Sequence, residues 1–429
     1  MNAQIVSRDI DTFTIQISIP YPGRSMLEGE EGLQKRLNEA GVVATQELLD
    51  FFDTDGSPIM MARTKWTSKG KDFKFYESPY GEVGIERHVY QTSAGGATFC
   101  PLEKEARIIL TATPKFAKML SWKYSDAGST RVIHDLRTNH NRVIARSYLQ
   151  NVADAVGTVA LVKEKNWEYA LPELPRPVHS VSIGVDATCI LMADGDYRQA
   201  EVGTISLYAR DGERLHTVYA GATPEYGKET FFHRFDREIS RIKEKCPKAV
   251  YIGVADGAKE NWPYLENHTD IQVVDFYHAT KYVHDAAGAM FPGKRKAQEK
   301  KFWVESTCHS LKHEDGMAET ILGSMEEYKM ANKMRGPAEK DLNSSISYFT
   351  NNKKRMKYAQ NVEKNFPIGS GVTEAACKVI VKQRLCGSGM KWAKRGIAVV
   401  LALRCLQYSD TRWDQFWQKI DQYGYCLAA

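Results

Sequence analysis

Apolar and polar residues alternate over 13–19 and again over 83–90, the spacing of strands with one buried face. Residues 33–52 switch to a helical period, and 53–81 carries Asp-Gly-Ser-Pro and Ser-Lys-Gly-Lys, which predict loops between short strands. From about residue 98 the pattern is helical. Helices are predicted over 102–110 and 114–125, then from Thr130 through Leu136 with residues 126–130 as a cap, and over 146–157, ending at Gly157. Three prolines fall within 171–179 and predict a stiff linker. Beyond it, short apolar runs at 181–185, 202–208 and 215–220 are separated by turn-formers and read as three antiparallel strands. A helix over 228–246 sets Phe231, Phe232, Phe235, Ile239 and Ile242 on one face. The runs 249–255 and 271–275 read as buried strands on either side of a helix or turn at 262–267. Residues 280–365 are charged and helical, with breaks at Pro292 and Pro337. The stretch 371–408, apolar beyond Gly396, predicts a helix that packs back on the sheet.

Three strands, a helix, a strand, a helix and a strand is the element order of an RNase H-like fold, so the expected class is α/β. The expected organisation is a mixed N-terminal region over 1–97, a helical region over 98–170 and a Pro-rich linker over 171–179. An RNase H-like domain over 180–429 follows, with a helical insertion at about 280–365. The helical region ends in a polar member bearing Arg146, Ser147, Gln150 and Asn151. That pattern fits a helix-turn-helix, whose second helix enters the DNA major groove, and equally a plain helical connector.

Composition narrows this picture modestly. At 429 residues the chain is long enough for two or three domains, and it is 43% apolar and 26% charged. No run of 18 apolar residues occurs, so no membrane span is predicted. Residues 1–13 lack a basic-then-apolar leader, which places the expected location in the cytosol. The eight cysteines form no Cys-x-x-Cys pair, which argues against a zinc ribbon and a disulfide framework and favours small buried apolar residues. A net charge of +5 is compatible with nucleic-acid binding without demanding it.

Two aspartates carry the candidate chemistry. Asp186 directly follows the apolar run 181–185, and Asp256 directly follows 250–255. On neighbouring parallel strands of such a sheet, two carboxylates in these positions come within reach of one cation. Hard divalent ions such as Mg²⁺ take oxygen ligands of this kind. Without a cation, crowded carboxylates raise one another's pKa values. Aspartate after a strand is also a common turn or helix cap. Both, however, occur here in the same Gly-Val-(Ala)-Asp setting.

Four segments in this order resemble the catalytic blocks of bacterial insertion-sequence transposases, of the ISL-type and Kra-type groups related to mutator-like elements. They are Gly184-Val-Asp-Ala-Thr188, Val254-Ala-Asp-Gly-Ala258 with Trp262, Val273-Val-Asp-Phe-Tyr-His-Ala279, and Gly369-Ser-Gly-Val-Thr-Glu-Ala-Ala-Cys377. The resemblance implies a DDE-type DNA transposase with Asp186, Asp256 and Glu374 as catalytic metal ligands. The 118 positions from Asp256 to Glu374 would then contain the insertion. Asp275 and His278 match an Asp-x-x-His block. Asp275 becomes an auxiliary ligand, and His278 a site-shaping or structural residue. The implied cofactor is a pair of Mg²⁺ ions, with Mn²⁺ able to substitute, acting in an in-line displacement at phosphorus. Implied partners are double-stranded DNA, both transposon ends and target, and a second copy of the chain in a homodimer or larger assembly beside the bacterial nucleoid.

Residues 378–395 hold six basic side chains and no acidic one. Lys378, Lys382, Arg384, Lys391, Lys394 and Arg395 are the expected phosphate contacts. Trp392 and Trp262 could stack on an unpaired base, although core packing is the commoner role of tryptophan. The basic runs Lys294-Arg-Lys296 and Lys353-Lys-Arg355-Met-Lys357 fit a DNA clamp or a dimer contact. Relatives often carry paired cysteines before the helical part. Here only Cys100 stands in that segment, and no structural zinc is expected. The alternative function is a domesticated or inactive relative that only binds DNA.

Overall fold

The computed structural model describes residues 3–21, 23–223 and 227–425. The chain divides into two compact units: 1–170 with 398–407 and 412–429, and 171–397 with 408–411. The boundary at 170/171 falls in a stretch without helix or strand.

In the first unit, β1 (Ala3–Arg8) and β2 (Phe13–Ile17) form an antiparallel hairpin. A 26-residue helix, Met26–Phe51, follows, with the Ser25 side chain accepting from the Glu28 N–H. Next come β3 (Ile59–Met61), β4 (Thr64–Glu77) and β5 (Glu82–Thr92), an antiparallel sheet in that order. Ser-Lys-Gly-Lys, expected as a loop, lies inside β4. There Gly70 takes φ +97° and the register to β5 shifts between Ser68 and Lys71. A bulge absorbs the turn-formers without ending the strand.

The helical region also differs from expectation. The first helix is only Pro101–Glu105, followed by Pro114–Asp126, Ser129–His140 and Arg146–Lys163. Gly128 is the N-cap of Ser129–His140 and no side chain caps it. Arg146–Lys163 does not stop at Gly157, because that glycine lets Val399 pack against the helix: a Cβ there would lie 2.6 Å from Val399 Cγ1. This helix buries Leu149, Val152, Val156 and Val159, as Pro114–Asp126 buries Phe116, Ala117 and Leu120. Its polar residues Arg146, Ser147 and Asn151 are exposed, as expected, and Ser129–His140 presents a second exposed polar face with Arg131, His134, Arg137 and Asn139.

The second unit is built on a five-stranded sheet. Its strands are β6 (Ser180–Leu191), β7 (Tyr197–Tyr208), β8 (Arg214–Ala222), β9 (Val250–Ala255) and β10 (Ile271–Val274). Their spatial order is β10-β9-β6-β7-β8; β6, β9 and β10 run parallel, and β7 and β8 antiparallel. The two faces of the sheet differ. Val181, Ile183 and Val185 join an apolar core with Phe231, Phe235, Ile239 and Ile242 of the helix Gly227–Lys245. Each such side chain contributes roughly 1.5–3 kcal/mol on burial. Gly203 leaves room for those rings: a Cβ there would lie 2.8 Å from Phe235. On the alternate positions stand Ser180, Ser182, Gly184, Thr204, Ser206 and Thr217, all small. The hydroxyls of Ser206 and Thr217 are 2.9 Å apart.

The insertion forms helices Phe276–Met290, Ala297–His313, Met317–Ala331, Pro337–Asn352 and Tyr358–Glu363. Leu311, Ile321, Met325, Leu342 and Phe349 share the core of the sheet. The stretch 371–408, expected as one helix, is divided. An α-helical turn (Gly371–Ala376) leads into a π-helix (Cys377–Lys382), and residues 383–385 close it. After a loop comes the helix Lys394–Tyr408, whose residues 398–407 group with the first unit.

Candidate metal centre

The parallel ladder brings three aspartates level. Its β6–β9 pairing runs to Gly184 opposite Val254, so Asp186 and Asp256, each two residues on, occupy matching positions. The β9–β10 pairing ends at Val274 opposite Ala255, which puts Asp275 beside Asp256. Asp186 differs from expectation in one respect: β6 continues to Leu191, paired with β7, so the residue lies within its strand. It is nonetheless where β6 outruns its parallel neighbour.

Glu374 reaches this end of the sheet through a close helix–strand approach. A Cβ on Gly184 would lie 2.0 Å from Thr373 Oγ1, and the hydroxyls of Thr373 and Thr204 are 2.7 Å apart. Only glycine in the strand permits that contact, and Glu374 follows Thr373 directly. One turn on, the Cys377 thiol donates to Asp186 Oδ2 at 3.3 Å. Asp186 also accepts the Ala187 N–H at 2.7 Å.

The Asp186 carboxyl is held above its ordinary pKa. Burial is the main cause, the two hydrogen bonds oppose it, and the negative charges of Asp256 and Glu374 push it up further. The three carboxylates named from the sequence therefore share one electrostatic neighbourhood. The Cys377 thiol is pushed well up by burial and by Asp186, which keeps it a protonated donor.

A second group adjoins the first. Ligand atoms of Asp275, His278 and Glu374 all lie within 4.8 Å of one another, an arrangement that could hold a metal ion. His278 Nδ1 is 3.4 Å from Asp275 Oδ1 and 3.6 Å from Glu374 Oε1. It is buried and makes no hydrogen bond. Asp275 is 1% exposed; it caps the helix Phe276–Met290 by accepting the His278 N–H, and accepts the Ser370 N–H and hydroxyl. The Ser370 hydroxyl also lies 2.9 Å from Glu374 Oε1 and has one proton for the two carboxylates. Glu374 is thus common to both groups.

Sequence reading missed the supports of this site. Tyr348, on the inserted helix Pro337–Asn352, donates to the Asp256 carbonyl at 3.0 Å and lies over Gly257, which takes φ +105°. A Cβ on Gly257 would come within 2.9 Å of Tyr348. Ser370 was also missed. Cys377 could have been found, because Glu374 and Cys377 are three apart and share a helix face.

The basic segment is mixed. Lys378, Lys382, Lys391, Lys394 and Arg395 are exposed, and the first two sit on the π-helix, a form that concentrates at functional sites. Arg384 corrects the expectation: it is 3% exposed with its guanidinium over the Trp392 ring. Trp392 is half-buried, and its indole N–H donates to the Leu385 carbonyl. Trp262 is core, 4% exposed beneath Arg355, and offers no face to a base. Cys189 and Cys386 are exposed and Cys246, Cys308 and Cys405 half-buried, so only Cys100 and Cys377 of the described cysteines are the buried residues expected.

No protein-family model matches the chain, and no curated protein matches it. Among the described residues no helix is long and apolar enough to cross a membrane.

Proposed function

We propose that the protein is a DDE-type DNA transposase with an RNase H-like catalytic unit, acting by metal-dependent phosphoryl transfer. The observation that carries this reading is the shared field of Asp186, Asp256 and Glu374, delivered from two parallel strands and a distant helix. The strand order, with three antiparallel strands followed by two parallel ones on the far side of the first, supports the fold assignment.

The donor set suits hard divalent ions, because clustered carboxylates, with the pKa of Asp186 raised among them, call for a cation. Asp186 and Asp256 would hold one Mg²⁺, and Asp275 with His278 a second, with Glu374 serving both. Once bound, such ions acidify water or a DNA 3′-hydroxyl and neutralise charge on the phosphoryl oxygens. The chain's own groups set the stage. Ser370 fixes the Glu374 carboxylate, and the Thr373–Gly184 contact fixes its helix. The Cys377 thiol donates to Asp186 Oδ2 and orients the carboxylate, whose remaining lone pairs are free for a cation. Lys378 and Lys382, on the same segment, supply positive charge for the DNA backbone. The exposed face of Ser129–His140, following Pro114–Asp126 after a two-residue turn, fits a helix-turn-helix that positions the DNA, and two copies would hold two ends.

The decisive experiment incubates the purified chain with DNA flanking its own gene, with and without Mg²⁺. Strand cutting only with the metal is expected. Tight binding without cutting under any metal condition would favour an inactive DNA-binding relative.

Cation binding should also register as stability. The raised Asp186 pKa means the folded chain binds more protons than the unfolded one between the ordinary value of 3.8 and the raised value. Metal-free stability therefore falls as pH rises through that window. Mg²⁺ competes with those protons, so its increase in melting temperature should be larger near about pH 7 than near about pH 4. Calorimetry with EDTA or Mg²⁺ measures this, and an equal increase at both pH values would count against a carboxylate site.

A further inference from the structure

A cationic recess lies where the insertion meets the start of β10, the end of that strand opposite Asp275. Lys354, Arg355, Lys357 and Lys364 line it with Glu266, Asp270, Ile271, Gln272, Gln360 and Asn361, around about 390 Å³. Both acids are engaged: Glu266 accepts from Arg355 at 2.7 Å, and Asp270 accepts the Tyr251 N–H at 2.8 Å. Arg355 is further fixed over the Trp262 ring, 4.4 Å from its centroid. Lys354, Lys357 and Lys364 are different. Their ammonium groups are exposed and form no ion pair or hydrogen bond with the described residues.

Four basic residues face two acids in this recess, and the resulting excess of positive charge, with three lysines unpaired, points to an external polyanion. The geometry fixes them together: the turn Lys353–Arg355 and the helix Tyr358–Glu363 are anchored by Tyr358, whose hydroxyl donates to the Val274 carbonyl at 2.9 Å. Lysines beside the amide side chain of Gln360 match a phosphodiester backbone, which is bound through charge and polar contacts without reading bases. A lipid surface would also require exposed apolar side chains, and the lining has only the half-buried Ile271.

We propose that this recess is a second DNA-backbone site, one that grips duplex away from the bond being cut. The choice of DNA rests on the transposase reading, but the two can fail separately.

The test uses the full-length chain, in EDTA so that no cutting occurs, and a labelled DNA duplex of arbitrary sequence followed by fluorescence anisotropy across a salt series. The variant is Lys354→Glu with Lys357→Glu and Lys364→Glu. A charge-matched control reverses the exposed Lys329 and Lys340, on the helices Met317–Ala331 and Pro337–Asn352, and Lys333 in the loop between them. Each lost phosphate contact lowers the slope of log affinity against log salt by about 0.9, so the recess variant should lose roughly 2–3 in slope and more than about tenfold in affinity. The control should lose far less. Equal losses in both variants would overturn the proposal, as would polyglutamate or anionic vesicles displacing the duplex at matched charge. The glutamine version of the triple variant, giving a smaller loss of the same kind, guards against misfolding. A chain that grips DNA through the recess but never cuts it would sink the catalytic reading alone. A chain that cuts DNA but binds it unchanged in the recess variant would sink this one alone.

Discussion

Asp256→Asn is expected to abolish Mg²⁺-dependent strand cutting, with a loss well beyond about 100-fold, while DNA affinity in EDTA stays within a small factor of the native chain. The size follows from position. Losing a mere hydrogen-bonding support of a metal ligand costs roughly 10–100-fold, and Asp256 is proposed as a ligand itself. Folding should survive, because asparagine keeps the shape and can still accept the Ala258 N–H that Asp256 Oδ1 accepts at 3.0 Å. The Tyr348 contact is to the main-chain carbonyl and is untouched. Neutralising residue 256 also removes one of the charges that raise the Asp186 pKa, so the metal-free variant should melt no lower than the native chain. A gel assay of cut strands beside a binding isotherm reads both halves. Cutting that persists in this variant would refute the site.

Gly184→Ala should cause the second large effect, through shape rather than charge. The new methyl would stand 2.0 Å from Thr373 Oγ1 and 3.1 Å from Thr204 Oγ1, inside a buried contact that cannot open locally. Overpacking of this kind costs about 1–3 kcal/mol. Relief requires the turn Gly371–Ala376 to lift from β6, which carries Glu374 away from Asp186. Cutting should therefore fall by more than the loss of folded protein explains, and denaturant melts with activity per folded molecule would separate the two. Full activity in a folded variant would mean that the Thr373 contact does not position Glu374.

What was legible in the sequence followed from period and from strand ends. The runs before Asp186 and Asp256 carry no charged residue because β6 and β9 are central strands, covered on both faces over 181–185 and 251–255. That made the two carboxylates visible. Glu374 was not visible by pattern, because its helix is a single turn followed by a π-helix without an amphipathic period, and only likeness to a family pointed to it. Trp262 and Arg384 misled for a related reason. Composition marks an aromatic or basic residue as available for DNA, whereas a tertiary contact decides whether it faces solvent. Ser-Lys-Gly-Lys misled in the opposite direction, since a bulge lets turn residues live inside a strand. The small-residue face of the sheet, with Gly184, Thr204 and Ser206, was equally hidden. Serine and threonine there look like surface positions until a helix is laid over them.

Glu374 joins its partners only after the 118 positions that follow Asp256 have been made. A ribosome still translating the insertion has already released both aspartates, yet the polypeptide it holds has no third acid to complete the set. Truncated products ending before Gly371 would be similarly incomplete. If the proposed function holds, an unfinished or broken copy would be harmless to the genome around it, because the capacity to cut would wait for its last ligand to be made.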